Sequence, residues 1–260
     1  MISTIFLDFD STLFSHKTRR IPPSALKAIS LLRQQGIGVY ICSGRANYEL
    51  DSFDLKGMQI DGMILSNGQI ICGSKGEVIY KQTIEGRLKE MLVQIYKEKK
   101  IPIYFADDKG LFLNYANERV IRVQNDISSK IPPIREYQDE KIIMASAIIS
   151  PEEARTVLKE MEPYADITYW HEEAVDILPK GVSKITGIKK LLQMKDIPLT
   201  ETMAFGDGEN DIGMLKLCAI GVAMGNAITS VKASADYVTS DIDDDGIYEA
   251  LKHYQLIQEE

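Results

Sequence analysis

The chain opens with a short apolar run that ends in two carboxylates. Ile5, Phe6 and Leu7 form a continuous apolar segment, which is typical of a strand buried on both faces of a parallel sheet. Asp8 and Asp10 follow at a spacing that would place both side chains on one face of a regular strand. Two neighbouring acids repel each other unless a cation or a proton lies between them. The alternative is a strand that simply ends in turn-forming aspartates, so the rest of the chain must distinguish a site from a turn.

The two ends of the chain alternate strands with helices. Pro22 and Pro23 precede an apolar stripe that predicts a helix over 24–35, and Gly36 follows the end of that helix. The other elements predicted here are strands at 37–42, 62–65, 202–205, 219–222 and 237–238, a hairpin at 69–80, and helices at 184–194, up to 217 and at 247–254. Strands and helices in this order imply a parallel sheet with right-handed crossovers.

The middle of the chain follows a different pattern, in which helices are interspersed with paired strands. The predicted helices cover 84–99 and 152–161, and the predicted strands cover 103–106, 111–115, 141–149, 166–170 and 174–178. This mixture is typical of an α+β layer. The predicted fold class is therefore α/β. Residues 1–81 and 179–260 form a doubly wound, Rossmann-like parallel-sheet core, and residues 82–178 are inserted into it as an α+β domain.

Composition and charge exclude several classes of partner. The formal charge of −8 comes with no Lys/Arg-rich run, which argues against nucleic acid because a phosphate backbone requires a basic surface. No apolar run approaches the roughly 18 residues that span a membrane, and an aspartate already at position 8 argues against a secretory signal. Three widely spaced cysteines, Cys42, Cys72 and Cys218, indicate reduced, buried thiols. We expect a cytoplasmic protein, and the sequence does not indicate its oligomeric state.

A third carboxylate follows another apolar strand. Asp207 ends the predicted strand at 202–205 much as Asp8 ends the first one, and loops after parallel strands gather at one edge of a doubly wound sheet. Asp8, Asp10 and Asp207 could therefore converge, and an unpaired cluster of this kind is unfavourable. A hard divalent cation resolves the repulsion, and Mg²⁺ fits better than Ca²⁺ because few protein ligands are available.

Donors for an anion lie at two other strand ends or helix starts. Lys184 begins a predicted helix, so its charge and the helix dipole would both favour a phosphate. Ser43 and the amide of Gly44 follow the predicted strand at 37–42 and could donate to the same group. Taken singly, Lys184 could equally be an ordinary solvated lysine, and Ser43-Gly44 is better explained as a plain turn after a strand. Together with the acids they are the parts that phosphoryl transfer requires, and they indicate a small phosphorylated metabolite as the partner.

Four motifs of this chain resemble, in order, those of the haloacid dehalogenase superfamily. They are Asp8-x-Asp10-x-Thr12-Leu13, Ser43-Gly44-Arg45, Lys180-Gly181-x-Ser183-Lys184 and Gly206-Asp207-x-x-Asn210-Asp211. The inserted region, with Asn67-Gly68 ahead of it, is similar in layout and length to that of the Cof-type branch. Those proteins are sugar-phosphate phosphatases with a large mobile cap, so the resemblance implies that residues 82–178 are a cap that selects the substrate.

The resemblance implies a role for each motif residue. Asp8 would be the nucleophile that forms an aspartyl-phosphate, and Asp10 the acid and base that serves the leaving oxygen and then the water. Ser43 and Lys184 would hold the phosphoryl oxygens. Mg²⁺ would be bound by Asp8, by the main-chain carbonyl of Asp10 and by Asp207. Gly44, Asn210 and Asp211 would support the metal and the phosphate. Arg45 and Asn67 would contact the substrate.

One position departs from the family pattern. The family usually has glycine after the second aspartate, and this chain has Ser11. If that position requires a positive φ, serine carries a strain of roughly 1 kcal/mol. No reacting group is lost, so the interpretation as an enzyme is unaffected.

The resulting hypothesis is a Mg²⁺-dependent phosphatase that acts on small phosphate monoesters, and two alternatives stay open. A mutase of the same superfamily would return the phosphoryl group to the sugar, and a non-catalytic sensor would bind a phosphosugar without turnover. In the cap, Trp170, His171, Glu172 and Glu173 are candidates for sugar contacts. Core packing is the better explanation for the tryptophan, and surface solvation for the acids.

Overall fold

A computed structural model describes residues 1–50, 53, 55, 58–127 and 129–258. The chain divides into two compact units. The first consists of Met1–Tyr80 and Lys184–Glu260, and the second of Lys81–Ser183. The second unit thus extends beyond the predicted 82–178 at both ends. No helix in the described ranges is both long enough and apolar enough to cross a membrane.

The secondary structure of the described residues comprises thirteen strands and nine α-helices. The strands are β1 (Thr4–Leu7), β2 (Gly38–Cys42), β3 (Gly62–Leu65), β4 (Ile70–Gly73), β5 (Val78–Lys81), β6 (Ile103–Asp107), β7 (Gly110–Leu113), β8 (Met144–Ala147), β9 (Ala165–His171), β10 (Ala174–Pro179), β11 (Thr202–Gly206), β12 (Ile220–Ala223) and β13 (Tyr237–Val238). The helices are α1 (Pro23–Gln34), α2 (Asn47–Leu50), α3 (Gly86–Glu98), α4 (Glu118–Asp126), α5 (Pro151–Val157), α6 (Lys184–Lys195), α7 (Ile212–Leu217), α8 (Thr229–Lys232) and α9 (Gly246–His253).

The first unit is built on an eight-stranded sheet with the order β13-β12-β11-β1-β2-β3-β4-β5. The strands from β13 to β3 are parallel to their neighbours, and β4 returns antiparallel to β3. The apolar residues of β1 are fully buried, as expected for a central strand covered on both faces. The predicted α/β fold class with a doubly wound parallel sheet is confirmed.

The register of the central strands brings three loop starts to one level. Leu7 of β1 pairs with Ile41 of β2 and with Phe205 of β11. Asp8 therefore lies at the level of the last residues of both neighbours, and the loops that begin at Ser43 and Asp207 follow one position later. This alignment positions the candidate site at the carboxyl edge of the sheet.

The second unit contains a five-stranded sheet with the order β7-β6-β8-β10-β9, in which neighbouring strands are antiparallel. Its core includes three rings in contact: Tyr96 of α3 lies 4.6 Å from Phe105 and 5.8 Å from Phe112, measured between ring centroids. The strand predicted at 141–149 is shorter, because only Met144–Ala147 pairs with β6 and β10.

Helix α4 is an element that the sequence interpretation missed. It covers Glu118–Asp126, and its sequence is mostly polar, so the apolar stripe is reduced to Val120 and Val123. The signal that could have found it is Asn117, whose side chain accepts a hydrogen bond from the Val120 amide as an N-cap does.

Candidate active site

The first acid of the opening stretch lies in a buried position at the end of β1. The strand ends at Leu7, and the Asp8 amide donates to the carbonyl of Phe205 at 3.0 Å. Asp8 is 6% exposed. Because the chain turns directly afterwards, the regular strand that would have put Asp8 and Asp10 on one face does not continue. The two carboxylates accordingly have different partners, because the regular strand on which a shared face depended ends at Leu7.

Lys184 neutralises the buried acid. Its Nζ lies 2.5 Å from Asp8 Oδ1 and 2.6 Å from Asp211 Oδ1, and the side chain is 1% exposed. Burial alone would lower the pKa of this lysine, but Asp211 and Asp8 outweigh it, so the pKa lies above its usual range and the ammonium stays charged. Burial, with the charge of Asp211, raises the pKa of Asp8 well above its ordinary value, while Lys184 opposes that rise.

Asp211 joins the loop after β11 to Lys184. Its Oδ2 accepts hydrogen bonds from the amides of Asp207 and Gly208, both at 3.0 Å, while Oδ1 faces the lysine. Gly206 makes this arrangement possible, because a Cβ at that position would lie 2.4 Å from the Cβ of Asp211. The loop is therefore folded around the Asp211 carboxylate, and Asn210 lies half-buried in the same turn.

Three carboxylates can hold a cation here. Oxygen atoms of Asp8, Asp207 and Asp211 lie within 4.8 Å of one another. Thr12 donates to Asp207 Oδ1 at 2.9 Å, yet burial and the charge of Asp211 raise the pKa of Asp207 to about 7. Three acids against one lysine leave an excess of negative charge, and all the donors are hard oxygens. This donor set fits Mg²⁺ or a similar divalent ion.

The second acid of the opening stretch lies outside that cluster, in an ion pair with Arg45. Arg45 Nε donates to Asp10 Oδ2 and Arg45 NH2 to Asp10 Oδ1, each at 2.8 Å, and His16 Nε2 lies 2.8 Å from the same Oδ1. Burial would raise the pKa of Asp10, but the hydrogen bonds from His16 and Arg45 lower it to about 2. The Arg45 guanidinium lies over the ring of Phe53, 5.0 Å from its centroid. Sequence reasoning missed His16 because it carries no motif.

The segment after β2 is held against the turn after β3. Ser43 is buried, and its Oγ accepts a hydrogen bond from the Arg45 amide at 3.1 Å. The amide of Asn67 donates to the Ser43 carbonyl at 3.2 Å. A Cβ at Gly44 would lie 3.3 Å from the side-chain amide of Asn67. Ser43, Gly44, Arg45 and Asn67 thus form one packed corner, which Arg45 joins to Asp10.

Ser11 adopts the strained conformation that its place in the motif suggested. Its φ is +59°, in the left-handed region. The Ser11 amide donates to the carbonyl of Phe14 at 2.9 Å, and Asn226 Nδ2 donates to the Ser11 carbonyl at 2.7 Å. Asn226 therefore helps to hold the turn that separates Asp8 from Asp10, a contact that no sequence pattern indicated.

Two of the candidate sugar contacts of the second unit, Trp170 and Glu173, have structural partners. Trp170 Nε1 donates to the buried Asp176 at 3.0 Å, and the ring packs against a small core that includes Tyr104 and Leu113. Glu173 is paired with Arg119 and Arg122. These contacts agree with packing and surface charge, which were the better explanations at these positions.

The fold and the site together define a doubly wound α/β protein whose strand-end acids can hold a divalent cation beside a buried lysine. A family model described as haloacid dehalogenase-like hydrolase matches residues 5–251. The chain belongs to this family, so the predicted resemblance is confirmed and the protein is an enzyme of the hydrolase class.

Individual relatives agree with this assignment. The chain is 32% identical over 257 residues to "Putative phosphatase YkrA" of Bacillus subtilis (strain 168), covering 98% of both chains. Its structure is similar to that of the phosphatase BT1666 from Bacteroides thetaiotaomicron, with a TM-score of 0.90, 30% identity and coverage of 99% and 96%. It is also similar to the subclass IIB sugar phosphatase BT4131, with a TM-score of 0.87, 35% identity and coverage of 98% and 100%.

Proposed function

We propose that this protein hydrolyses small phosphate monoesters, most of all sugar phosphates, with Mg²⁺ and through an aspartyl-phosphate on Asp8. The observation that carries the proposal is the buried contact between Asp8 and Lys184 at the edge of the acid cluster. The names of the similar proteins support phosphatase chemistry, and one of them is a sugar phosphatase. We place the reaction in the cytoplasm, which agrees with three free, buried cysteines.

In the first step an Asp8 oxygen attacks phosphorus, and the bond from phosphorus to the leaving oxygen breaks. Lys184 contacts Asp8 Oδ1 directly and favours its ionised form, which opposes the rise in its pKa caused by burial and by Asp211. The same ammonium faces the entering phosphoryl group and offsets its negative charge. Ser43 Oγ and the amide of Gly44 are the proposed neutral donors to the phosphoryl oxygens.

Asp8, the main-chain carbonyl of Asp10 and Asp207 are the proposed Mg²⁺ ligands. Asp211 orders the loop through the amides of Asp207 and Gly208, and Asn210 supports the same turn. When bound, the ion offsets the charge of the carboxylates and of the phosphoryl oxygens.

Asp10 is the proposed proton carrier. It would give a proton to the leaving oxygen, and in the second step it would take one from the water that attacks the phosphorus of the aspartyl-phosphate and frees Asp8. As a carboxylate with a pKa of about 2, it has the ionised form that the second role needs, and it becomes a stronger base once Arg45 moves away. The first role requires that Arg45 release Asp10 during the cycle, because a carboxylate in this ion pair carries no proton at neutral pH. Arg45 and Asn67 are the proposed substrate contacts.

The inserted unit, Lys81–Ser183, is the proposed cap that selects the leaving group and excludes water other than the attacking one. The substrate would be a small phosphorylated metabolite.

The test is release of inorganic phosphate from a panel of sugar phosphates, nucleotides and phosphorylated cofactors, with and without Mg²⁺. We expect release without a bisphosphate activator, which a mutase would need, and loss of release in Asp8→Asn. Asp108→Asn is the matched control, since Asp108 is an exposed acid paired with Lys81 in the second unit. Acid quenching should trap labelled phosphate on the wild-type chain and not on Asp8→Asn. Full turnover by Asp8→Asn would refute the mechanism.

A further inference from the structure

The first unit contains a cavity that the proposed reaction does not use. It has a volume of about 450 Å³ and lies between α1 and the segment that follows β1. Its walls are mixed, with apolar side chains that include Phe14, Leu26 and Phe53 beside the polar side chains of Ser30 and Gln59. This volume is within the range of roughly 300–1,000 Å³ that is typical of small-molecule sites. Asp8, Lys184 and Asp207 do not line it, although its wall residue Phe53 lies under the guanidinium of Arg45.

Two arginines lie at this cavity. Arg19 and Arg20 both line it and are both exposed. The ion pairs found across residues 1–50, 53, 55, 58–127 and 129–258 include neither of them. Neither guanidinium is therefore neutralised by a carboxylate in the described part of the chain. They give the cavity a positive mouth, which favours an anionic group.

The aromatic wall is fixed in place by neighbouring rings. Phe14 and Phe53 meet at 4.6 Å between centroids, and both pack on the fully buried Phe9, at 5.6 and 4.9 Å. Such rings lose little freedom when a ligand covers them, which lowers the cost of binding. The wall therefore offers a rigid apolar surface beside the cations.

The turn that carries the arginines is also held in place. The Ser15 amide donates to the Arg20 carbonyl at 3.0 Å, and the Thr18 amide donates to Ser15 Oγ at 3.2 Å. Arg19 has a φ of +54°, so its backbone is in the left-handed region. The backbone that carries the two guanidinium groups is thus held in one conformation beside the cavity.

We propose that this cavity is a binding site for a small amphipathic anion, with a carboxylate or phosphate head at Arg19 and Arg20 and an apolar body against Phe14 and Phe53. The rings of Phe14 and Phe53 favour an apolar body over a hydroxyl-rich sugar, because hydroxyl groups buried against them would lack hydrogen-bond partners. The proposed ligand is therefore a different class of molecule from the proposed substrates.

The test uses octanoate as the probe and isothermal titration calorimetry on the full chain with EDTA present. We expect saturable binding with one site per chain and a dissociation constant of about 1 mM or below. Arg19→Gln/Arg20→Gln should weaken binding by ~10-fold or more, because it removes both charge-assisted contacts. Octanol, which has the same body without the charge, should bind ~10-fold more weakly to the wild type.

Two variants distinguish binding in the cavity from non-specific electrostatic attraction of octanoate to the protein surface. Lys17→Gln removes a charge from the same turn, but Lys17 does not line the cavity, so its binding should change by less than ~2-fold. Leu26→Asp places a carboxylate at a half-exposed wall position and should weaken octanoate binding as strongly as the arginine double variant. Circular dichroism confirms folding of each variant. No saturable binding by ~10 mM, or equal binding by wild type and the arginine double variant, would overturn the proposal.

Discussion

The buried lysine provides the sharpest test of the site's electrostatics. Lys184→Met keeps most of the unbranched side chain and removes its charge, which leaves Asp8 and Asp211 without their common cation. Removing one partner of a buried ion pair typically costs about 3–5 kcal/mol, because the remaining charge stays buried and unpaired. For a protein of this size each kcal/mol corresponds to roughly 2–4 °C, so the midpoint of thermal unfolding should fall by ~6–20 °C.

The assay is thermal and urea unfolding followed by circular dichroism, at low salt and without divalent cations. Lys195→Met is the matched control, because Lys195 is an exposed lysine at the end of the same helix, and it should unfold within ~0.5 kcal/mol of the wild type. The pKa of Asp8 already lies above its ordinary value of 3.8 and rises further in the variant. The deficit should therefore be largest at alkaline pH, where Asp8 is ionised in both proteins, and should shrink as the pH falls through the raised pKa of Asp8, below which the carboxyl group is protonated in both.

Divalent cations provide a second readout on the same variant. Since the three carboxylates remain, Mg²⁺ at 100 times its dissociation constant should return ~2.7 kcal/mol of stability. A loss below ~1 kcal/mol in Lys184→Met without metal would show that the acids are not ionised as described, and would refute the reasoning.

Three further changes test other parts of the structure by urea unfolding. Gly206→Ala should destabilise by ~2–4 kcal/mol and reduce phosphate release, because the new Cβ would displace Asp211 from two backbone amides. Ser11→Gly should stabilise by ~1 kcal/mol or less, since the relief of a φ of +59° exceeds the added entropy of the unfolded chain; a loss of stability would contradict this account. Asn114→Ala should cost ~2–4 kcal/mol, because Asn114 is buried and its side chain bonds the amides of Ile103 and Tyr115 and the carbonyl of Ile101. The exposed Asn117→Ala is its control and should lose only ~1 kcal/mol, the usual value of an N-cap.

The sequence by itself determined the elements that frame the site. Periodic or continuous apolar runs depend only on neighbouring residues, so strand β1, helix α1 and the start of α6 at Lys184 were predicted within a few residues. Their order implied a parallel sheet, and a parallel sheet collects the loops after its strands at one edge. Asp8, Asp207 and Lys184 could for this reason be expected together, although 176 residues separate Asp8 from Lys184.

Only the tertiary structure decided how the charged groups pair. β1 stops at Leu7, so Asp8 points to Lys184 while Asp10 points to Arg45 and His16. Asp211 lies in the acid cluster with Asp8 and Asp207. The motif had assigned Asn210 and Asp211 the same supporting role and did not say which of them joins the cluster. Hydrogen bonds of this kind depend on loop geometry and on strand register. Neither of these produces a periodic pattern of residues that could be recognised in the sequence.

Local conformation, too, was predicted from the sequence in some places and was decided by tertiary contacts in others. The sequence singled out Ser11 as an unusual residue, but the contact from Asn226 that holds its turn comes from a distant loop. Helix α4 was missed because its stability comes from Val120 and Val123 packing into a core formed by other elements. The residues at strand ends are thus determined by local pattern, whereas their partners are determined by packing over long distances in the chain.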